Sequence, residues 1–229
     1  MTARVRWQRH IVALLDEALE RNGVTIDEVA AAITEAIDDG HHIYAFGAGH
    51  SVSLVNEMYR RAGGVKIVRP LWNEEMLSRA DPERAGQLEN ESGYYRKLTD
   101  GLDWGPGDLC WVLSNSGRNA LVVELAQEAK RRGVKIIALT SLTHSAAVPA
   151  TAGLPKLPEI ADYILDNAGV LGDASIAIDG LPEWVAPTST IIGAALIQAV
   201  WAEVAERLVA RGHIPEIWGS ANRGQVTNP

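Results

Sequence analysis

The run from Leu109 to Gly133 constrains the architecture more than any other part of the chain. Five apolar residues, Leu109 to Leu113, give way to a turn of Ser, Asn and Gly (Ser114 to Asn119), and a helical pattern then runs to a stopping glycine at Gly133. A strand that passes through such a turn into a helix leaves free backbone N–H groups at the helix start, with the positive end of the helix dipole behind them. That corner favours a phosphate or a carboxylate. The same grammar recurs in HIYAFGAGHS (His41 to Ser51) and KIIALTSLTH (Lys135 to His144), and a fourth turn, PTST (Pro187 to Thr190), opens the last long helix. Strands alternating with helices imply right-handed parallel crossovers, which place every such turn at the carboxyl ends of the strands, where open α/β sheets bind ligands. Convergence on one small anionic ligand is the expectation.

Around these corners the periodicity predicts strands at 42–46, 65–69, 108–113, 134–139 and 162–166, and helices at 51–62, about 84–100, 119–132 and 188–211. Upstream, Trp7, Ile11, Leu14, Leu15, Ala18 and Leu19 recur at helical spacing and predict a first helix ending near Gly23. A second helix is expected from Thr25, with Thr25 and Glu28 as a capping box, to Gly40. Ala146 to Pro158, with three prolines and a glycine, reads as a loop. The fold class is therefore α/β: a three-layer α/β/α sandwich on a five-stranded, mostly parallel sheet, with a helical arm over 1–40, a core over 41–211 and a tail over 212–229, all one domain.

With 229 residues, 47% of them hydrophobic, the chain can bury one full α/β core. A net charge of −8 and the lack of any Lys/Arg-rich run argue against nucleic acid or an anionic membrane as partner. The one cysteine, Cys110, sits in an apolar strand pattern, which excludes disulfides within the chain and cysteine-based metal sites. The charged first twenty residues resemble no signal peptide and no apolar run reaches ~18 residues, so a soluble, cytoplasmic protein is expected. His41, His42 and His213 form no recognised metal-ligand spacing with carboxylates, and neither metal nor cofactor is expected.

FGAGHS, the SNSG turn with its following helix, ALTS and the PTST helix start together resemble the sugar isomerase (SIS) domain family, over about residues 25–211. The likeness is to stand-alone bacterial phosphosugar isomerases and, more distantly, to phosphoheptose isomerase. It implies a flavodoxin-like SIS fold and a phosphate gripped by Ser114, Asn115, Ser116 and Asn119, with Gly49 and Ser51 from the first turn and Thr140 and Ser141 on the opposite wall. Thr188 and Ser189 join the set from the fourth turn. The family also places a carboxylate on the helix after the first turn, here Glu57, and its sites are shared between subunits, which implies a homo-oligomer, dimer or tetramer. One departure is plain: phosphoheptose isomerases carry a histidine in the final long helix, and residues 188–211 contain none.

The chemistry can be argued from the residues themselves. Aldose–ketose isomerisation through an enediol needs a base beside the substrate carbons, a donor to polarise the carbonyl and a clamp on the phosphate. Glu57 lies about two helical turns beyond Gly49 and is either the base or a solvated helix residue. His50 and His144 flank two of the turns; each is either an acid/base partner or a brace or cap for its turn. Arg118 either clamps an anion or lies on the surface, and Asp173 in GVLGDAS either touches ligand or closes a loop. Any one Ser, Thr or Asn could be a helix cap alone; four such turns on one sheet edge carry more weight.

Three functions remain in contention: a sugar-phosphate isomerase, a non-catalytic phosphosugar sensor binding through the same turns, and a dinucleotide-dependent oxidoreductase. The last is disfavoured because GAGHSV lacks the third glycine of the dinucleotide fingerprint and the second strand ends in Arg69 and Pro70 instead of an acidic ribose partner.

Overall fold

The computed structural model describes residues 1–77 and 81–220. In chain order its elements are α1 (Ala3–Asp38), β1 (Ile43–Gly47), a 3-10 turn (Gly49–Ser51), α2 (Val52–Met58), β2 (Val68–Pro70), α3 (Glu74–Leu77), α4 (Pro82–Leu88), α5 (Arg96–Thr99), β3 (Leu109–Leu113), α6 (Ala120–Arg131), β4 (Lys135–Thr140), α7 (Leu142–Ala147), α8 (Leu157–Ile160), β5 (Tyr163–Asp166), β6 (Ala174–Ile176), β7 (Val185–Pro187) and α9 (Ser189–Ala210). The main sheet runs in the order β2-β1-β3-β4-β5 with every pairing parallel. The strand order reverses between β1 and β3, so the carboxyl ends of those two strands flank a crevice.

Because helices cover both faces of the sheet, β1 and β3 are buried at every position. Ile43, Ala45, Leu109, Trp111, Leu113, Ile137 and Leu139 pack with α1, α2 and α9. The alternate residues, among them Tyr44, Phe46, Cys110, Val112, Ile136 and Ala138, pack with α4, α5, α6 and α8. Period-two alternation thus feeds two cores from one set of strands, and Cys110 is a fully buried member of the second.

The two expected N-terminal helices are one. α1 continues through Gly23 and Thr25 for 36 residues, and the capping box does not form. Long-range bonds replace it: Asn22, buried, donates to the carbonyl of Asp166 at 2.8 Å and accepts from the Asp166 N–H at 2.9 Å. Arg21 donates to the Asp166 carboxylate at 2.7 Å. The mid-helix glycine costs about 1 kcal/mol against alanine, less than this docking and the burial of Val29, Ala30 and Ile33 against α9 and the sheet return.

Other elements shift as well. The helix after β1 is shorter than 51–62, ending at Met58, and the second strand is Val68–Pro70. The helix expected near 84–100 is two short ones, α4 and α5. The expected loop at 146–158 carries the end of α7 and the start of α8. An antiparallel ribbon, β6–β7, stands outside the main sheet and leads into α9; three-residue strands flanked by Gly, Asp and Pro leave little periodicity to read. The described part of the tail folds back on its own chain, with Trp218 bonded to Gly63 and Gly64 and Glu216 to Lys66. Residues 221–229 of the expected tail lie outside the described residues. No described helix is long and apolar enough to cross a membrane.

Candidate functional site

The first corner explains the two glycines of FGAGHS. A Cβ on Gly47 would lie 2.7 Å from the carbonyl oxygen of Ser51, so only glycine lets β1 turn this tightly into the 3-10 turn. Gly49 holds φ +54°, and a Cβ there would fall 2.3 Å from Oε1 of Glu89. The first corner is therefore shaped to receive a carboxylate from another element.

Glu89 closes α4. Its carbonyl accepts from the Leu121 N–H at 3.1 Å, and its Oε2 accepts from Asn119 Nδ2 at 2.7 Å, so backbone and side chain are both held by the first turn of α6. Half-burial raises its carboxyl above the usual glutamate range, with the Asn119 bond opposing in part. The sequence reading passed over this residue: LENESG matches no motif, and Glu89 reaches the site by tertiary packing.

At the second corner, Ser114 Oγ accepts from the Gly117 N–H at 3.1 Å, which closes the turn. Asn115 Oδ1 accepts from Asn167 Nδ2 at 2.9 Å, an orientation that turns the Asn115 amide group the other way. Asn119 occupies the N-cap position of α6 without capping it, its side chain being engaged with Glu89. The start of α6 keeps its dipole facing the turn.

The third corner is spent on itself. Thr140 and Ser141 are fully buried; Thr140 Oγ1 donates to the carbonyl of Asn115 at 3.1 Å, and Ser141 Oγ donates to the carbonyl of Gly169 at 2.6 Å while accepting the His144 N–H at 3.0 Å. These hydroxyls support the wall from behind. What the corner presents forward is His144, whose Nδ1 accepts from the Gly172 N–H at 3.1 Å. An accepting Nδ1 leaves the neutral ring's proton on Nε2, as a donor.

The fourth corner, too, is already occupied. Asp173 Oδ1 accepts from the N–H groups of Thr188 and Ser189 at 3.0 and 2.8 Å, and its Oδ2 accepts from Ser189 Oγ at 2.6 Å. An internal carboxylate thus fills the N-terminus of α9, and Thr188 is buried. Asp173 closes the loop, and it also borders the cavity.

These corners enclose a cavity of about 400 Å³ lined by His50, Ser51, Glu89, Ser114, Asn115, Ser116, Asn119, His144, Asn167, Asp173, Ser189 and Thr190, with Leu54, Val122 and Leu139 among its apolar walls. Among the described residues no lysine or arginine lines it, Arg118 included. A second cavity of about 730 Å³ adjoins it, sharing His50 and Glu89 and touching Gly49. Glu57 lines neither: its Oε1 accepts from Gln198 Nε2 at 3.0 Å and pairs with Arg61, beyond the end of α2. Leu54, Val55 and Met58 are the face of α2 that packs inward.

The model of the SIS domain matches residues 6–141. The chain belongs to the SIS domain family. Among curated relatives, a UPF0309 protein of Listeria monocytogenes is 33% identical over 213 residues, spanning 92% of this chain and 86% of the relative. Among solved structures, a phosphoheptose isomerase from Francisella tularensis has the same fold, with a TM-score of 0.59 at 13% identity over 90% of this chain and all of that one. The sugar isomerase domain of the RpiR transcription factor from Sphaerobacter thermophilus matches with a TM-score of 0.54 at 21% identity over 91% of this chain and 92% of that one. At such identities the structural likeness is one of fold. The SIS fold of this chain is the five-stranded parallel sheet with its long N-terminal helix, as the resemblance implied.

Proposed function

We propose that this SIS protein binds a sugar monophosphate in the 400 Å³ cavity and interconverts its aldose and ketose forms. The observation that carries the reading is the meeting of the first three corners, together with the start of α6, around one cavity at the β1/β3 switch point. The phosphate would sit against the α6 N-terminus, where Ser116 and Ser51 offer hydroxyls bonded to no other described residue and Asn115 offers its amide. Among the described residues of the wall, the α6 dipole and neutral donors do the holding, which suits one phosphate better than two. His144 would present its Nε2–H to the carbonyl oxygen and His50 would stand at the mouth, where the two cavities join.

The test is a thermal-shift screen of pentose, hexose, N-acetylhexosamine and heptose phosphates, followed by NMR of each binder in deuterated buffer. Deuterium entering at C2 supports isomerisation. A stabilising ligand whose C2 proton never exchanges would replace the enzyme with a phosphosugar sensor, a role consistent with the fold's presence in a transcription factor. No stabilisation by any sugar phosphate would overturn both.

A further inference from the structure

Resting on the isomerase reading of this cavity, we infer that Glu89, and not Glu57, is the base that moves the substrate proton. Three independent features of the fold converge on its carboxylate. The backbone around Gly49 leaves room for Oε1 that any side chain at 49 would fill, since a Cβ there would lie 2.3 Å away. The carbonyl of Glu89 is pinned to Leu121 and its Oε2 to Asn119, so the carboxylate is fixed relative to the helix start that would grip the phosphate. It borders both cavities, beside His50 and in the cavity that also holds His144. Only one oxygen takes the Asn119 bond, which leaves Oε1 as the acceptor. Glu57, in contrast, is tied to Gln198 and Arg61 outside both cavities.

The step balances without a co-reactant. Glu89 takes the proton from C2 of the aldose, the C–H pair becomes the C1=C2 bond of the enediol, and the carbonyl oxygen takes the proton of His144 Nε2. Glu89 then returns its proton to C1 while Nε2 regains one from the C2 hydroxyl, giving the ketose. Among the described residues, the ionisable groups that line the cavities together with Glu89 are His50 from the first corner, His144 from α7 and Asp173 from the loop before β6; its hydrogen-bonded neighbour at the start of α6 is the neutral Asn119. Half-burial holds the carboxyl closer to neutral pH than an ordinary glutamate, which suits a base that must also give its proton back.

The experiment has two arms, run on wild type, Glu89→Gln and Glu57→Gln. The first titrates inorganic phosphate by calorimetry between pH 5 and pH 8. Removing a negative charge from the cavity wall should tighten phosphate in Glu89→Gln by about threefold or more at the upper end of this range, with Glu57→Gln matching wild type. The second follows deuterium entry at C2 of the sugar phosphates that stabilise the protein. Exchange should fall roughly 10²–10⁴-fold in Glu89→Gln with binding retained, and hold in Glu57→Gln. Phosphate affinity unchanged by Glu89→Gln would overturn the placement, and exchange surviving in Glu89→Gln but lost in Glu57→Gln would overturn the assignment while leaving an isomerase. No exchange in wild type, with the phosphate arm as expected, removes the isomerase reading and the base with it.

Discussion

Ser189 donates both its backbone N–H and its hydroxyl to Asp173, at 2.8 and 2.6 Å, so the last long helix begins on a carboxylate supplied by its own chain. The corner that the residue pattern offers as a fourth anion site is thereby filled from within. Replacing Asp173 with alanine strips the cap from α9 and should cost about 1–2 kcal/mol, whereas Asp173→Asn, which keeps one acceptor, should cost less. Urea denaturation of the two variants ranks them, and equal losses would refute the capping role.

Gly49 should resist a side chain, and most strongly while Glu89 is present. Gly49→Ala imposes a left-handed conformation on a residue with a Cβ and drives that atom into the Glu89 carboxylate, a combined cost of about 2 kcal/mol or more. In a Glu89→Ala background the clash disappears and only the backbone strain remains. A double-mutant cycle should therefore give coupling of roughly 1 kcal/mol, and additive losses would show that the two residues do not meet.

Stability and catalysis should pull in opposite directions at Glu89. Its carboxyl is raised in the folded state, so its contribution is fully present below the unfolded glutamate pKa and is lost as pH rises through the folded value. Above that window wild type carries a half-buried charge that Glu89→Gln lacks. The glutamine variant should melt higher than wild type at pH 7, with the gap narrowing towards pH 4. A variant that melts lower at pH 7 would contradict this sign.

Cys110 should behave as a small apolar side chain. It is fully buried in β3 and burial pushes its thiol far above the ordinary range, so a maleimide should label the native protein slowly and the urea-unfolded protein at once. Equal labelling rates would mean that the sheet opens readily at its centre.

The strands that carry the corners were legible because a parallel sheet covered on both faces demands continuous apolar runs, and FGAGHS and SNSG interrupt those runs abruptly. Their convergence followed from crossover handedness alone. Which hydroxyls face the cavity was not legible. Ser141 and Ser116 look alike in sequence, yet one is consumed by the Gly169 carbonyl and the other lines the cavity. Glu57 and Glu89 both fall in expected helices and differ in where they point: the first has its carboxylate turned to Arg61 and Gln198, and the second reaches the site because the helix expected at about 84–100 stops at Leu88 and leaves Glu89 at its end. The capping box at Thr25 was overridden because Asn22 and Arg21 found partners 144 and 145 residues away, on Asp166, which no local pattern records.

Those partners make the rotational phase of α1 a property of the cavity. Asp166 holds Arg21 with one oxygen and, with the other, the N–H of Leu142 at 3.1 Å, which is the first residue of the helix bearing His144. One residue inserted ahead of Ile11 leaves the buried residues from Leu14 onward in phase with Arg21, but one inserted between Asn22 and Val29 swings the two halves by about 100° relative to each other. The anchor on Asp166 and the packing against α9 could not then both be kept, and the histidine would lose its footing through a change made far along the chain from it.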